Sequence, residues 1–119
     1  MVKDWSSIKE TYLELEDRGL AFQSMVNLVE AIIQSSELSK LYAWTSMHDL
    51  CIVQTPVEYP YDGPFLKVSP LFNGSIEFRY LDTGIKENQW HHIVIENQAA
   101  SELMNFVEKL HWFVKYEGK

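Results

Sequence analysis

The sequence predicts an α+β fold with two N-terminal helices, an antiparallel sheet of four or five strands in meander order, and one C-terminal helix. Two observations support this prediction. Apolar residues recur at helical spacing up to about residue 34 and again after about residue 100. Between these segments, short stretches of strand length alternate apolar and polar residues and are separated by turn residues. With 119 residues and no linker, the chain is expected to form a single domain over residues 1–119.

The helices are expected from their caps and apolar faces. The first runs from about Ser7 to Arg18, because Ser7 and Glu10 have capping-box spacing and Gly19 suits a C-terminal stop. The second runs over about 20–34 and carries an apolar face that must be buried. The last twenty residues return to helical spacing.

The strands are expected at 41–46, 50–55, 64–70, 75–82 and 89–96. The first two join across residues 47–49. A three-residue loop with Gly74 in the left-handed conformation would place Val68 opposite Tyr80 and keep Lys67 off the core face.

The last hairpin is expected to pair Asp82 with Gln89. His91 would then lie in the core opposite Tyr80, and His92 would lie on the outer face with Arg79.

Composition and charge limit the classes of partner. The chain is 46% hydrophobic and 23% charged, with a net charge of −7. Residues 1–60 hold nine acids and four bases, a net of −5, and residues 61–119 hold eight acids and six bases, a net of −2. This balance argues against nucleic acid and favours a basic protein partner. A cytoplasmic protein that does not bind membranes is expected, since the chain has no apolar segment of spanning length, no secretory signal and only one cysteine.

No catalytic or metal-binding signature is found, so the sequence favours a non-enzymatic protein with no cofactor and no metal site. His91 and His92 are neighbours on a strand and point to opposite faces, so they cannot grip one metal together. Cys51 falls in an apolar strand, where a thiol usually packs as a small hydrophobe. The glycines do not cluster into a phosphate-binding loop.

The stretch TPVEYPYDGP at residues 55–64 carries the main functional signal. It is longer than a usual hairpin connection, and three of its residues are prolines, which reduce the entropy lost on binding. Its tyrosines suit an interface and its acids add negative charge. The alternative is that this loop only covers an exposed edge of the core. The candidate contact residues are Glu58, Tyr59, Tyr61 and Asp62.

An acidic stripe on the first helix completes the partner-binding hypothesis. Glu10, Glu14 and Asp17 share one helix face, and Glu14 has a suitably placed ion-pair partner in Arg18. The leading hypothesis is a small acidic inhibitor that engages a basic partner protein. The analogy is with bacterial immunity proteins and rests on size and charge alone.

Two other classes of function remain open. A polar pocket on the outer sheet face would bind a small molecule or support proton transfer. Alternatively, the aromatic surplus of the chain would form the interface of a homo-oligomer. The residues expected to line the pocket are Glu77, Arg79, Trp90 and His92.

Overall fold

A computed structural model describes residues 1–19, 22–58, 60–61, 63–71, 73–82, 87 and 89–112. Over these residues the chain forms three α-helices and a five-stranded antiparallel sheet in the order β1-β2-β3-β4-β5. The α+β architecture and the meander order expected from the sequence are confirmed. The elements in chain order are α1 (Trp5–Asp17), α2 (Gln23–Gln34), β1 (Tyr42–Ser46), β2 (Asp49–Val53), β3 (Phe65–Pro70), β4 (Ile76–Leu81), β5 (Trp90–Val94) and α3 (Ala99–Lys109).

Helix α1 begins two residues earlier than the capping-box spacing indicated. Asp4 is the N-cap, and its carboxylate accepts a 2.8 Å hydrogen bond from the backbone N–H of Ser7, which lowers the pKa of Asp4. The early start lets Trp5 donate from its indole Nε1 to the carbonyl of Leu41 at 3.1 Å. At the other end, Gly19 has a φ of +87°, which confirms the expected stop.

Helix α3 is shorter than the helical spacing suggested. It ends at Lys109, and the chain turns at Leu110 and His111, where φ of His111 is +61°. The part of the expected helix that falls on residues 113–119 lies outside the described residues.

All three described helices pack on one face of the sheet, here called the inner face. Its strand side chains and the helices share one hydrophobic core, in which Ile8, Ile32 and Leu103 are fully buried. At the centre, Phe78 of β4 meets Phe106 of α3 edge-on at 5.2 Å. The inner-face residues buried in this core are Ala43, Leu50, Ile52, Leu66, Val68, Ile76, Phe78 and Tyr80.

The β3–β4 hairpin confirms the expected loop and corrects its register. Leu71 and Ser75 flank a three-residue loop, and Gly74 is left-handed with a φ of +85°. Val68 lies opposite Phe78 rather than Tyr80. The predicted register was wrong by two residues, because the loop closes one residue earlier on each strand. A shift of two keeps every side chain on its expected face, so Lys67 is on the outer face as predicted.

The predicted β4–β5 register is wrong by one residue, which exchanges the two faces of β5. Tyr80 lies opposite Trp90, and Phe78 lies opposite His92. The physical reason is the aromatic packing on the inner face. Trp90 stacks on Tyr80 with ring centroids 5.8 Å apart and contacts Phe106 at 4.7 Å, so it is the residue that α3 covers.

The β1–β2 hairpin turns over two residues, Met47 and His48, so Asp49 belongs to β2 and not to the connection. Both turn residues have positive φ, 50° and 75°, which is the type I′ pattern. Helix α1 holds this turn in place, because the Tyr12 hydroxyl donates to the carbonyl of His48 at 2.8 Å. The ring of His48 also meets Phe22 edge-on at 5.2 Å.

Candidate functional site

The second face of the sheet, here called the outer face, carries no helix within the described part of the chain. Side chains alternate between faces along each strand, so Trp44, Lys67 and Arg79 point away from the helices. The outer face is therefore the sheet surface that the described helices leave available for contacts.

An aromatic cluster of Trp44, Tyr61 and Phe65 lies at one end of the outer face. The Trp44 ring is 6.2 Å from that of Tyr61 in an edge-on arrangement and 5.8 Å from that of Phe65. All three side chains are partly exposed. They join the 55–64 loop to strands β1 and β3, so the loop packs on this end of the sheet.

Tyr61 is held in the aromatic cluster by the loop itself. Its hydroxyl donates to the carbonyl of Pro64 at 2.7 Å. Gly63 allows the ring to lie flat against the backbone, since a Cβ there would come within 2.6 Å of the Tyr61 hydroxyl oxygen. The described part of the loop therefore fixes one aromatic ring in place on the outer face.

A charged strip of Asp49, Lys67, Glu77 and Arg79 crosses the middle of the outer face. Lys67 lies directly opposite Arg79, and each base has an acid beside it. Lys67 Nζ is 3.5 Å from Asp49 Oδ2, and Arg79 Nε is 4.0 Å from Glu77 Oε1. With two acids and two bases, the charged strip has no net charge.

Arg79 is only partly satisfied within the charged strip. Its Nη2 donates weakly to Ser69 Oγ at 3.5 Å, while its buried Nε has no hydrogen-bond acceptor in the structure. Such a buried donor costs free energy in the unbound protein. The Arg79 side chain as a whole is 37% exposed.

Cys51 lies under this surface, buried to 2% exposure and opposite Trp44. The pKa of its thiol is raised to about 11, chiefly by burial; Lys67 and Arg79 oppose this rise, and the Asp49 carboxylate adds to it. The thiol is therefore protonated at neutral pH, as expected of a cysteine that serves packing.

We expect Cys51 in the folded protein to react with iodoacetamide at pH 8 roughly 100-fold more slowly than a cysteine in a short peptide, because fewer than about one thiol in a hundred is ionised. Alkylation followed by intact mass measures this rate. Unfolding in guanidinium should restore the peptide rate. Equal rates for the folded protein and the peptide would contradict the buried placement.

The loop residues predicted to bind a partner are only partly within the described chain. Tyr59 and Asp62 lie outside the described residues. The carboxylate of Glu58 is 83% exposed and 3.1 Å from the N-terminal amine of Met1. Such an exposed pair contributes little stability.

The acidic stripe of Glu10, Glu14 and Asp17 is exposed, as its helical spacing predicted. The ion pair expected between Glu14 and Arg18 does not form, although both residues are described. The stripe lies on α1 in the helical layer, whereas Tyr61 packs on the outer face. The structure thus does not join the two groups into one contact surface.

The four residues of the predicted small-molecule pocket do not share a face. Glu77 and Arg79 are on the outer face, but the corrected register moves Trp90 and His92 to the inner face. There His92 contacts the rings of Trp90 and Phe106 at 5.8 and 5.5 Å. A carboxylate and an imidazole on opposite sides of a sheet cannot act on one ligand.

Two shallow clefts are formed by described residues. One of about 210 Å³ includes Arg79, Gln89 and Trp90, and is smaller than a usual ligand site. The other, of about 340 Å³, lies between the N-terminal segment and the start of β1 and includes Trp5, Lys40 and Tyr42. Within the residues described, no three His, Cys, Asp or Glu side chains are placed to hold a metal ion.

Trp44 and Phe65 belong to the site but were not predicted from the sequence. Tyr42 and Trp44 alternate with the buried Ala43, so the strand pattern of β1 already placed these two rings on one face. What the pattern did not show is that the 55–64 loop returns across that face.

Comparison with protein-family models, with curated proteins and with solved structures finds no match to this chain. Its class is defined by its own architecture, an α+β protein with helices on one face of a meander sheet. Along the described residues, no helix is long and apolar enough to cross a bilayer.

Proposed function

We propose that this protein is a non-enzymatic binding protein of the cytoplasm that inhibits or neutralises a basic partner protein, in the manner of an immunity protein. The partner contacts the aromatic cluster and the adjoining charged strip. The observation that carries the proposal is the position of Trp44, Tyr61 and Phe65, partly exposed and fixed in place, on the sheet face that the described helices leave uncovered.

The aromatic cluster supports this function because interface energy concentrates in a few aromatic and arginine anchors. Tyr61 is preorganised by its bond to Pro64 and its contact with Gly63. Arg79 lies on the same face with a side chain that is 37% exposed, so part of it is accessible to a partner. These features suit a protein surface more than a small ligand, since the cleft that includes Arg79, of about 210 Å³, is smaller than a usual ligand site.

Charge supports a basic partner through long-range attraction. The charged strip is neutral, so it does not select the sign of a partner's charge. The net charge of −7 comes from the rest of the molecule, and the exposed acidic stripe of α1 contributes to it. Such a field accelerates encounter with a basic protein without direct contact at every acid.

Site-specific photo-crosslinking in cells of the source organism tests the proposal. A benzoylphenylalanine in place of Tyr42, which is 40% exposed beside Trp44 on the outer face, should crosslink to a protein with a basic isoelectric point. The same residue in place of Asn105, exposed on α3 in the helical layer, is the matched control.

The expected result is a discrete crosslinked product from position 42, identified by mass spectrometry, and none of that product from position 105. The same product at both positions, an acidic partner, or no product from position 42 would each overturn the proposal.

A further inference from the structure

The two edges of the sheet differ in how the chain covers them. At the β1 edge, the backbone N–H of Lys3 donates to the carbonyl of Ala43 at 2.8 Å, and Trp5 bonds to Leu41. No described segment pairs with the outer edge of β5. The edge of β5 is therefore the sheet edge at which an added strand can form backbone hydrogen bonds within the described structure.

The hydrogen-bond pattern identifies which residues of β5 carry these free groups. Ala43 bonds outward to Lys3, and Leu71 bonds to Ser75 between β3 and β4. In an antiparallel sheet, successive residues of a strand bond to alternate sides. Applied to the observed registers of the four strand pairs, this alternation directs the backbone N–H and C=O groups of the even-numbered residues of β5 toward β4. His91 and Ile93 therefore direct their N–H and C=O groups to the free edge. The N–H of Ile95 continues this pattern, whereas its C=O accepts from the backbone N–H of Gln98 at 3.0 Å.

The edge also lacks the features that normally prevent strand pairing. Residues 90–95 contain no proline, acid, lysine or arginine. Ile93 and Ile95 are 60% and 54% exposed on the outer face. Natural sheets protect a free edge with lysine, proline or a bulge, so an apolar edge of this kind is typical of a strand that pairs with another chain.

We propose that this edge binds a second copy of the same chain, with the two β5 strands antiparallel about a two-fold axis at Ile93. Ile93 then lies opposite Ile93 of the second copy, and His91 lies opposite Ile95. Although each chain carries a charge of −7, this register places no two charged side chains opposite each other. A strand without acids, lysine or arginine, paired so that Ile93 meets Ile93, fits a second copy better than it fits a basic partner.

The pairing is independent of the proposed inhibitory function and adds to it. A two-fold axis perpendicular to the sheet keeps both outer faces on the same side, so the dimer presents two aromatic clusters on one continuous sheet surface. Because five paired residues bury less area than a standard interface, the dimer is a weak one that depends on concentration.

Sedimentation velocity over a concentration series tests the pairing, with Ile93→Lys as the variant and Met47→Lys as its control. Both variants replace an exposed apolar residue and add the same charge, and Met47 is 92% exposed at the distant β1–β2 turn. The mass of the wild type and of Met47→Lys should rise from 13.9 kDa toward twice that value between roughly 5 μM and roughly 500 μM. Ile93→Lys should stay at 13.9 kDa.

Amide hydrogen exchange by NMR distinguishes edge pairing from any other dimer and needs no variant. Exchange at His91, Ile93 and Ile95 should slow about tenfold at a protomer concentration of roughly 50 times Kd. The proposal is overturned by a monomer throughout the series, by Ile93→Lys dimerising like the control, or by free exchange of these amides in the dimer.

Discussion

Replacing Tyr12 with alanine should lower the free energy of unfolding by about 3–5 kcal/mol, the largest effect on stability that the structure predicts for a single residue. Tyr12 is fully buried, packs 5.9 Å from the ring of Phe22, and donates its hydroxyl to the His48 carbonyl at 2.8 Å. The side chain thus joins α1 to α2 and to the strained β1–β2 turn. Since a domain of this size has about 5–15 kcal/mol of stability, much of it is lost.

Tyr12→Phe separates packing from hydrogen bonding, because it keeps the ring and removes only the hydroxyl. We expect it to cost about 1 kcal/mol, for loss of the bond to His48. Glu14→Ala on the exposed face of the same helix should change stability by less than about 0.5 kcal/mol. Urea unfolding monitored by circular dichroism measures all three. A cost below about 1 kcal/mol for Tyr12→Ala would show that α1 is not part of the core.

The largest expected effect on binding is that of Tyr61→Ala, which should raise the Kd for the crosslinked partner about 30-fold or more, as for an interface anchor worth about 2 kcal/mol. The ring is the member of the aromatic cluster that the loop contributes. Its loss removes both the contact area and the order that the Pro64 bond gives to the loop. Isothermal titration calorimetry with the purified partner measures the change.

Gly63→Ala tests whether the position of the Tyr61 ring matters as well as its presence. The new Cβ would come within 2.6 Å of the Tyr61 hydroxyl oxygen and 2.8 Å of Cζ, so the intact ring must move. We expect a loss of affinity approaching that of Tyr61→Ala, and no loss for Asn105→Ala on α3. If Gly63→Ala binds like the wild type, preorganisation of the ring does not contribute to affinity.

The architecture could be predicted because the hydrophobic period changes where the structure changes. The buried positions Met25, Val29 and Ile32 follow the helical repeat of α2, and Ile76, Phe78 and Tyr80 follow the strand repeat of β4. The β3–β4 loop was predictable for a local reason, since Gly74 takes the left-handed conformation that other residues avoid.

The register of β5 could not be predicted, because its apolar residues fall on both faces. Ile93 and Ile95 favoured one face of β5 as the buried face, and Trp90 with Val94 favoured the other. The choice is made by α3, whose Phe106 packs on Trp90 and His92 from across the molecule. Local pattern alone does not contain that contact, and a one-residue slip was enough to break up the predicted pocket.

The predicted first residue of α1 was wrong for a similar reason. The predicted start rested on Ser7 alone, although Asp4 is also a residue type that caps helices. The distant contact between Trp5 and Leu41 favours the earlier start. In the candidate site, the length and composition of the 55–64 loop made Tyr61 one of four candidate residues, whereas its neighbours Trp44 and Phe65 are brought to it by the sheet.

The most direct measurement of the central claim is hydrogen–deuterium exchange of the protein with and without its crosslinked partner, read by mass spectrometry. Binding at the outer face should slow exchange in peptides that cover residues 42–46 and 54–65 and leave the peptides of α1 and α3 unchanged. Slower exchange confined to α1 or α3, with the outer-face peptides unchanged, would place the interface on the helical layer and contradict the proposed function.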